Sequence, residues 1–297
     1  MVGLGRMGAN MTTRLLQGGH EVVVFDVNGE AVARAAKGGA VATESLDDLV
    51  SQLEAPRIVW LMVPSGEITH NTIDRLEGLL EEGDTLIDGG NSRYTDSMAR
   101  AEALDGKGIS FLDAGTSGGI WGLEGGYCLM VGGDRDAFQR AQPVFETLAP
   151  ENGYAHVGPS GAGHFTKMVH NGIEYALMQA YGEGFELLHD SEFDLDSGQI
   201  AELWRHGSVV RSWLLDLAAK AFESDRDLEE IAPYIDDSGE GRWTLNYAIE
   251  HAVPVPTIAT ALFARFASRQ DASFAGKVIA ALRKEFGGHA VHKPAGE

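Results

Sequence analysis

Four side chains able to do chemistry stand close together in the stretch GHFTKMVHNGIEY, residues 163–175: Lys167, His170, Asn171 and Glu174. Their offsets of three, four and seven put all four on one face of a helix. A lysine within a buried helix is costly unless it is paired or functional. Desolvation or a nearby positive charge lowers its pKa and leaves a neutral amine that can take a proton. A glutamate one turn further on could return a proton if burial keeps it partly protonated. One such residue reads as a snorkelling surface group. Four on one face read as a pocket, provided the rest of the chain supplies something to react.

The elements around the stretch supply it. Between about residues 20 and 157, short apolar runs alternate with helical patterns. The runs are EVVVFD (21–26), RIVWLMV (57–63), DTLIDGG (84–90), ISFLDAG (109–115) and YCLMVGG (127–133). Continuous apolar runs are the mark of strands buried on both faces, and their alternation with helices predicts a doubly wound, largely parallel sheet. At the start stands Gly3-Leu4-Gly5-Arg6-Met7-Gly8, a GxGxxG, and eighteen residues after Gly8 the next strand ends at Asp26. Glycines serve the tight turn, the close approach of a pyrophosphate and the helix–strand packing; the carboxylate suits a ribose 2′-hydroxyl and repels a 2′-phosphate. The fold expected is therefore α/β, a Rossmann-type doubly wound parallel sheet over residues 1–160. From about 161 the strand signals stop and helical periodicity continues over 161–189, 197–206, 209–222, 244–251, 256–268 and 274–285, with a loop at 236–244. An all-α domain over 161–297 is expected, and a helical domain of this size often pairs with another copy.

One feature conflicts with this scheme. Only Met1 and Val2 precede Gly3, whereas the strand before the fingerprint is central to such a sheet and strands usually need about five residues. The expectation is that the first strand is cut short and the chain starts late, at some cost in stability and cofactor affinity.

Composition narrows the function classes. The 297 residues carry 44 acidic and 23 basic side chains, a formal net charge of −21. No basic patch can dominate that field, which argues against nucleic acid as a partner. The acidic residues are spread through both halves, as in proteins working at high salt. No run of eighteen apolar residues marks a membrane span, and no basic start followed by an apolar segment marks a secretory signal. Cys128 is the one cysteine, so neither a disulfide framework nor a cysteine-based zinc site is available; a cytoplasmic, reducing location is expected.

Two further turns end strands where ligands sit in open α/β sheets. DGGNS (88–92) offers Asn91, and GTSGG (115–119) offers the Ser117 hydroxyl with bare N–H groups at Gly118 and Gly119. Each alone reads as an ordinary turn.

Together with GLGRMG, LMVPSG (61–66), FLDAGTSGGIWGLEGGYCLMVGG (111–133), GEGRWT (239–244), LFARF (262–266) and EFGGH (285–289), these segments resemble the decarboxylating 6-phosphogluconate dehydrogenases in their short form, over nearly the whole chain. The resemblance implies Lys167 as the base that takes the C3 hydroxyl proton while hydride passes to nicotinamide. It implies Glu174 as the acid that protonates C1 after CO2 is lost, with no metal. Asn91, Ser117, Gly118, Gly119, His170 and Asn171 match positions that hold the sugar acid, Tyr175 and Arg265 match phosphate contacts, and Arg283 and His289 match residues that reach a neighbouring subunit's site. Gly3, Gly5, Arg6, Met7, Gly8, Asp26, Val63 and Asn91 match the cofactor site. The implied assembly is a homodimer or homotetramer with exchanged tails. Asp26-Val27-Asn28 stands where long forms carry an NADP-selecting arginine, which favours NAD. Ser238 and Glu240 stand where long forms have a phosphate-binding lysine and threonine, with Arg242 as a compensating cation, and Ile120-Trp121 replace two glutamates. The alternatives are a dehydrogenase of a small unphosphorylated 3-hydroxy acid, which would not need Arg265 and Arg283, and a non-catalytic dinucleotide-binding module, which would not need Lys167 and Glu174.

Overall fold

A computed structural model describes residues 1–292. The chain forms two compact units, Met1–Asn171 and the segment from Gly172 onward. Among the described residues no helix is long and apolar enough to cross a membrane.

The first unit is a doubly wound sheet. Its strands are β1 (Val23–Val24), β2 (Val41–Ala42), β3 (Ile58–Leu61), β4 (Thr85–Asp88), β5 (Ser110–Ser117), β6 (Cys128–Gly133) and β7 (Tyr154–Gly158). β1 pairs with β2, and β3 to β7 run side by side in chain order; all pairings are parallel except β5 with β6. Met1 and Val2 fill the slot between β1 and β3. Val2 bridges both Phe25 and Leu61 in the parallel sense. The ladder is carried by Val2 N to Trp60 O and Met62 N to Val2 O on one side, and by Gly3 N to Phe25 O and Phe25 N to Met1 O on the other. Two residues make a bridge rather than a strand, yet their backbone groups suffice to join the two sheets.

Alternating strand residues feed two cores. Trp60, Ile87, Leu112 and Ala114 pack with one set of helices, and Val59, Leu61, Leu86 and Phe111 with the other. The first face is covered by α1 (Arg6–Gln17), α2 (Gly29–Lys37) and α7 (Arg135–Leu148), the second by α3 (Leu46–Ser51), α4 (Glu67–Glu77) and α5 (Tyr94–Asp105). A short α6 (Gly122–Gly125) follows β5. Strands β2 and β7 were not legible in the apolar runs. β2 is two exposed residues, and β7 is an edge strand with alternating half-buried and exposed positions, so neither makes a continuous apolar segment.

Helix α8 (Ala162–His189) starts in the first unit and continues into the second. The second unit goes on with α9 (Ser197–Arg205), α10 (Trp213–Ser224), α11 (Glu240–Glu250), α12 (Pro256–Ala267) and α13 (Phe274–Gly287). Two starts differ from the periodicity. α10 begins at 213 because the Ser212 side chain caps it, accepting from Leu215 N. α11 begins inside the expected loop, at Glu240, directly after Gly239 at φ 98°, a conformation glycine adopts without penalty.

Candidate active site

Chemistry begins at the fingerprint turn. Gly3 lies at φ +93°, and a Cβ there would stand 2.4 Å from Met62 O. A Cβ on Gly8 would stand 2.0 Å from Gly3 O, so α1 lies directly on the turn. A Cβ on Gly5 would meet nothing within 4 Å. Gly5 is the N-cap of α1 and supplies no side-chain cap; the first turn carries no acid. The N–H groups and positive dipole end of α1 therefore face open space, an arrangement suited to a phosphate. Asp26 borders it: one carboxylate oxygen accepts from Leu4 N at 2.5 Å and the other from Asn28 N at 2.7 Å. It ties the fingerprint to the end of β1 and keeps lone pairs for a ribose hydroxyl. Val63 stands between the fingerprint and the next turn, its Cγ1 3.0 Å from a Cβ built on Gly3 and its carbonyl 3.0 Å from one built on Gly90. Arg6 is exposed and Met7 packs partly on the core. These residues fit a dinucleotide.

The turn after β4 is organised by a residue the sequence reading passed over. Asp88, 1 % exposed, accepts from Gly90 N at 3.1 Å, from Ser92 Oγ at 2.7 Å and from Arg100 at 3.0 Å. Asn91, between those partners, is left exposed at the carboxyl end of the strand.

The first ten residues of α8 lie against β5 and β6. Cβ atoms built on Gly163 would stand 2.1 Å from Asp113 O and 2.5 Å from Met130 O, and one built on Gly115 would stand 2.5 Å from the Cβ of Lys167. The helix can approach the sheet this closely because those positions lack side chains. Lys167, 8 % exposed, thus sits over Gly115. One turn later His170 Nε2 lies 3.3 Å from Ser117 Oγ, and His170 Nδ1 lies 2.9 Å from Asn171 Oδ1. Ser117, His170 and Asn171 form one connected polar group at the end of β5. Gly118 (φ 134°) and Gly119 (φ 54°) follow Ser117 in conformations that favour glycine. Ile120 O accepts from Asn10 Nδ2 at 3.3 Å, which joins this loop to α1.

In the second unit Glu174 is half-buried and Tyr175 is 4 % exposed. The Tyr175 hydroxyl lies 3.2 Å from Ser238 Oγ and accepts from Ser238 N at 3.2 Å. The Arg265 guanidinium stacks on the Tyr175 ring, 3.6 Å from its centroid, and donates to Asp236 O at 2.8 Å. Arg242 donates in bidentate fashion to Asp237 at 2.7 and 2.9 Å, and Arg269 adds a bond at 3.0 Å. Arg242, and then Arg269, hold the Asp237 carboxyl well below the usual range, at about 2. The structure thus groups Tyr175, Arg265, Ser238 and Arg242, and adds Asp237 and Arg269, which the sequence reading did not single out. Arg283 on α13 and His289 just beyond it are exposed, as is every residue of α13.

Residues 1–158 match the NAD binding domain of 6-phosphogluconate dehydrogenase, and residues 163–292 match the C-terminal domain of that enzyme. The NAD(+)-dependent, decarboxylating 6-phosphogluconate dehydrogenase of Haloferax volcanii is 47% identical over 293 residues, which cover 98% of this chain and 97% of that protein. The Bacillus subtilis protein of the same name is 37% identical over 285 residues, 90% of this chain and 60% of the longer relative. Among solved structures, Plasmodium falciparum 6-phosphogluconate dehydrogenase matches at TM-score 0.83 and 26% identity, over 100% of this chain and 66% of that one. Mycobacterium tuberculosis 3-hydroxyisobutyrate dehydrogenase, solved with L-serine, matches at TM-score 0.73 and 25% identity, over 95% and 97%. With both halves matched in order and a relative aligned end to end, this oxidoreductase chain with a nicotinamide-dinucleotide domain belongs to the 6-phosphogluconate dehydrogenase family.

Proposed function

We propose that the chain catalyses the NAD-dependent oxidative decarboxylation of 6-phosphogluconate to ribulose 5-phosphate and CO2, a step of the pentose phosphate pathway. The observation that carries this reading is Lys167, buried on α8 over Gly115, one turn from the connected Ser117, His170 and Asn171. Lys167 takes the C3 hydroxyl proton. The bound nicotinamide supplies the hydride acceptor. The resulting 3-keto acid has a carbonyl β to its carboxylate, which can accept the electron pair as CO2 leaves, so the residues need no metal at that step. Glu174 then protonates C1. Asn91, Ser117, Gly118, Gly119, His170 and Asn171 hold the sugar acid, and Tyr175 and Arg265 take its phosphate. A stacked guanidinium and a phenolic hydroxyl suit that dianion.

The Asp26 carboxylate, placed beside Leu4 N, supports NAD over NADP because a 2′-phosphate would meet a like charge. In this reading residues 1–160 bind cofactor and lend Asn91, Ser117, Gly118 and Gly119 to the substrate, while 161–297 supply the other substrate contacts and join subunits. The exposed α13, with Phe274, Ile279, Leu282 and Phe286 each at least 59 % exposed, supports a homodimer or homotetramer in which Arg283 and His289 complete a neighbour's site. The −21 net charge suits a salt-rich cytoplasm.

The test adds 6-phosphogluconate with NAD or NADP and follows reduced-cofactor absorbance together with CO2 release. Turnover is expected with NAD and lost in Lys167→Met with cofactor binding retained; normal turnover in that variant refutes the assignment. A small unphosphorylated 3-hydroxy acid is the competing substrate, and the 3-hydroxyisobutyrate dehydrogenase neighbour is the observation behind it. If Arg265→Ala leaves the KM for 6-phosphogluconate unchanged, that competitor gains.

A further inference from the structure

We infer that Asp113 is a positioning residue for Lys167, setting from the sheet the height and rotation of the helix that carries the proposed base. The inference rests on the reading of Lys167 given above.

Asp113 lies in β5 and is fully buried, yet its carboxylate points at neither of the site's polar groups described so far. Its two oxygens accept from Gly161 N at 2.7 Å and His164 N at 2.8 Å. Those are N–H groups at the start of α8, which normally go to the helix's own capping side chain. Here the cap comes from a strand 48 and 51 residues away in sequence. No acidic residue stands in the first turn of this 28-residue helix, so the Asp113 carboxylate is the negative group that meets its positive end. One carboxylate bound at two points fixes both the distance of the helix from the sheet and its rotation.

The rest of the contact leaves little play. Gly132 is paired in register with Asp113, and a Cβ there would stand 2.7 Å from Asp113 Oδ1 and 2.7 Å from Gly163 N. Gly115, two residues along β5 and on the same side of it, underlies the Lys167 Cβ. Gly163 and Lys167 are one turn apart on the face turned to the sheet. Asp113 therefore fixes the first turn, and the bare backbone of Gly115 receives the second, the one bearing the lysine. His164, whose N–H is one of the two donors to Asp113, is 2 % exposed and lies with Nδ1 2.7 Å from Ser97 Oγ on α5; the Ser97 contact is to the ring, so removing it leaves both N–H bonds to the carboxylate in place.

The experiment measures kcat, KM and NAD affinity at a temperature far below melting for Asp113→Asn, Asp113→Ala, Gly115→Ala and Ser97→Ala, with 6-phosphogluconate and NAD as substrates. Gly115→Ala brings its Cβ about 1 Å inside ordinary contact with Lys167, and a displacement of that size costs on the order of 100-fold in turnover. We expect kcat to fall about 100-fold in Gly115→Ala and Asp113→Ala, and about tenfold in Asp113→Asn, which keeps one acceptor oxygen. KM and NAD affinity should stay within about twofold, and Ser97→Ala should keep kcat. If Asp113→Ala does not fold, Asp113→Asn and Gly115→Ala carry the test. Normal kcat in either of those two, with only a lowered melting temperature, overturns the inference, as does an equal loss of kcat in Ser97→Ala. Lys167→Met separates the levels: full turnover there sinks the reading of the base itself, whereas a dead Lys167→Met beside a normal Gly115→Ala sinks only the positioning role.

Discussion

Two glycines of the fingerprint, three residues apart, should respond to the same methyl group in opposite ways. At Gly5 the backbone sits at φ −60° and ψ −178°, ordinary for alanine, and the added Cβ meets nothing within 4 Å. Gly5→Ala should therefore leave stability within about 1 kcal/mol, since the preference for glycine over alanine at an N-cap and the smaller unfolded-state entropy of alanine act in opposite directions. The methyl does enter the space in front of the α1 N-terminus. A pyrophosphate held there by backbone N–H groups would lose at least one charge-assisted bond, worth roughly 1.5–3 kcal/mol, or about 10- to 150-fold in Kd. At Gly8 the Cβ would stand 2.0 Å from Gly3 O and 3.2 Å from the Met62 Cβ. Backbone must move there, at an overpacking cost of about 1–3 kcal/mol, so Gly8→Ala should lower the melting temperature as well as weaken binding. The assay is calorimetric titration with NADH beside a thermal melt of each variant. Unchanged NADH affinity in Gly5→Ala would show that the phosphates do not lie on this turn. An unchanged melt in Gly8→Ala would show that helix and turn are not in the contact described.

Asp26→Asn keeps an acceptor for Leu4 N while removing the charge; NADP affinity measured by titration should rise at least tenfold, and an unchanged value would refute the repulsion argument. Asp237 is depressed to about 2 in the folded protein, so its contribution to stability is complete above the ordinary carboxylate range and is lost as pH falls toward 2. Arg242 is half exposed and screened by water, so Asp237→Asn should cost on the order of 1 kcal/mol in urea unfolding at pH 6, converging with the parent near pH 2. Arg100 is 10 % and Asp88 1 % exposed in their ion pair; Arg100→Ala leaves the buried Asp88 carboxylate without its counter-charge, held by Gly90 N and Ser92 Oγ, and should cost about 3 kcal/mol, read as a shift in the urea midpoint. With a formal charge of −21, the melting temperature should climb between low and molar salt, and a flat profile would remove the self-repulsion argument.

The parts of the fold that were legible in the sequence are those whose physics is local. GLGRMG could be read because each glycine answers a constraint within a few residues: a positive φ at Gly3, open space at Gly5, a backbone contact at Gly8. The stripe of Lys167, His170, Asn171 and Glu174 could be read because helical periodicity alone assembles it. Asp88 and Asp113 could not. Asp88 stands beside a glycine and Asp113 two residues before one, so each looks like a turn residue, and the groups that compensate its charge lie elsewhere: Arg100 twelve residues on, Gly161 and His164 48 and 51 residues on. The same holds for Arg269, which reaches Asp237 across 32 residues.

Their arrangement in the sheet explains why both aspartates need such partners. Asp88 and Asp113 are paired in register on adjacent parallel strands, so their side chains leave the same face, about 5 Å apart along the hydrogen-bonding direction. Like charges directly opposite each other are unfavourable, and burial adds a desolvation cost that pushes the Asp113 carboxyl up. Each is compensated separately, and each compensation builds part of the site. Asp88 takes Arg100 and, through Gly90 N and Ser92 Oγ, shapes the turn that presents Asn91. Asp113 takes the N-terminal N–H groups of α8 and thereby seats the helix that carries Lys167. Two electrostatic liabilities in one row of the sheet thus fix the turn proposed to meet substrate and the helix of the proposed base in a common frame, which a pair of apolar residues at those positions could not do.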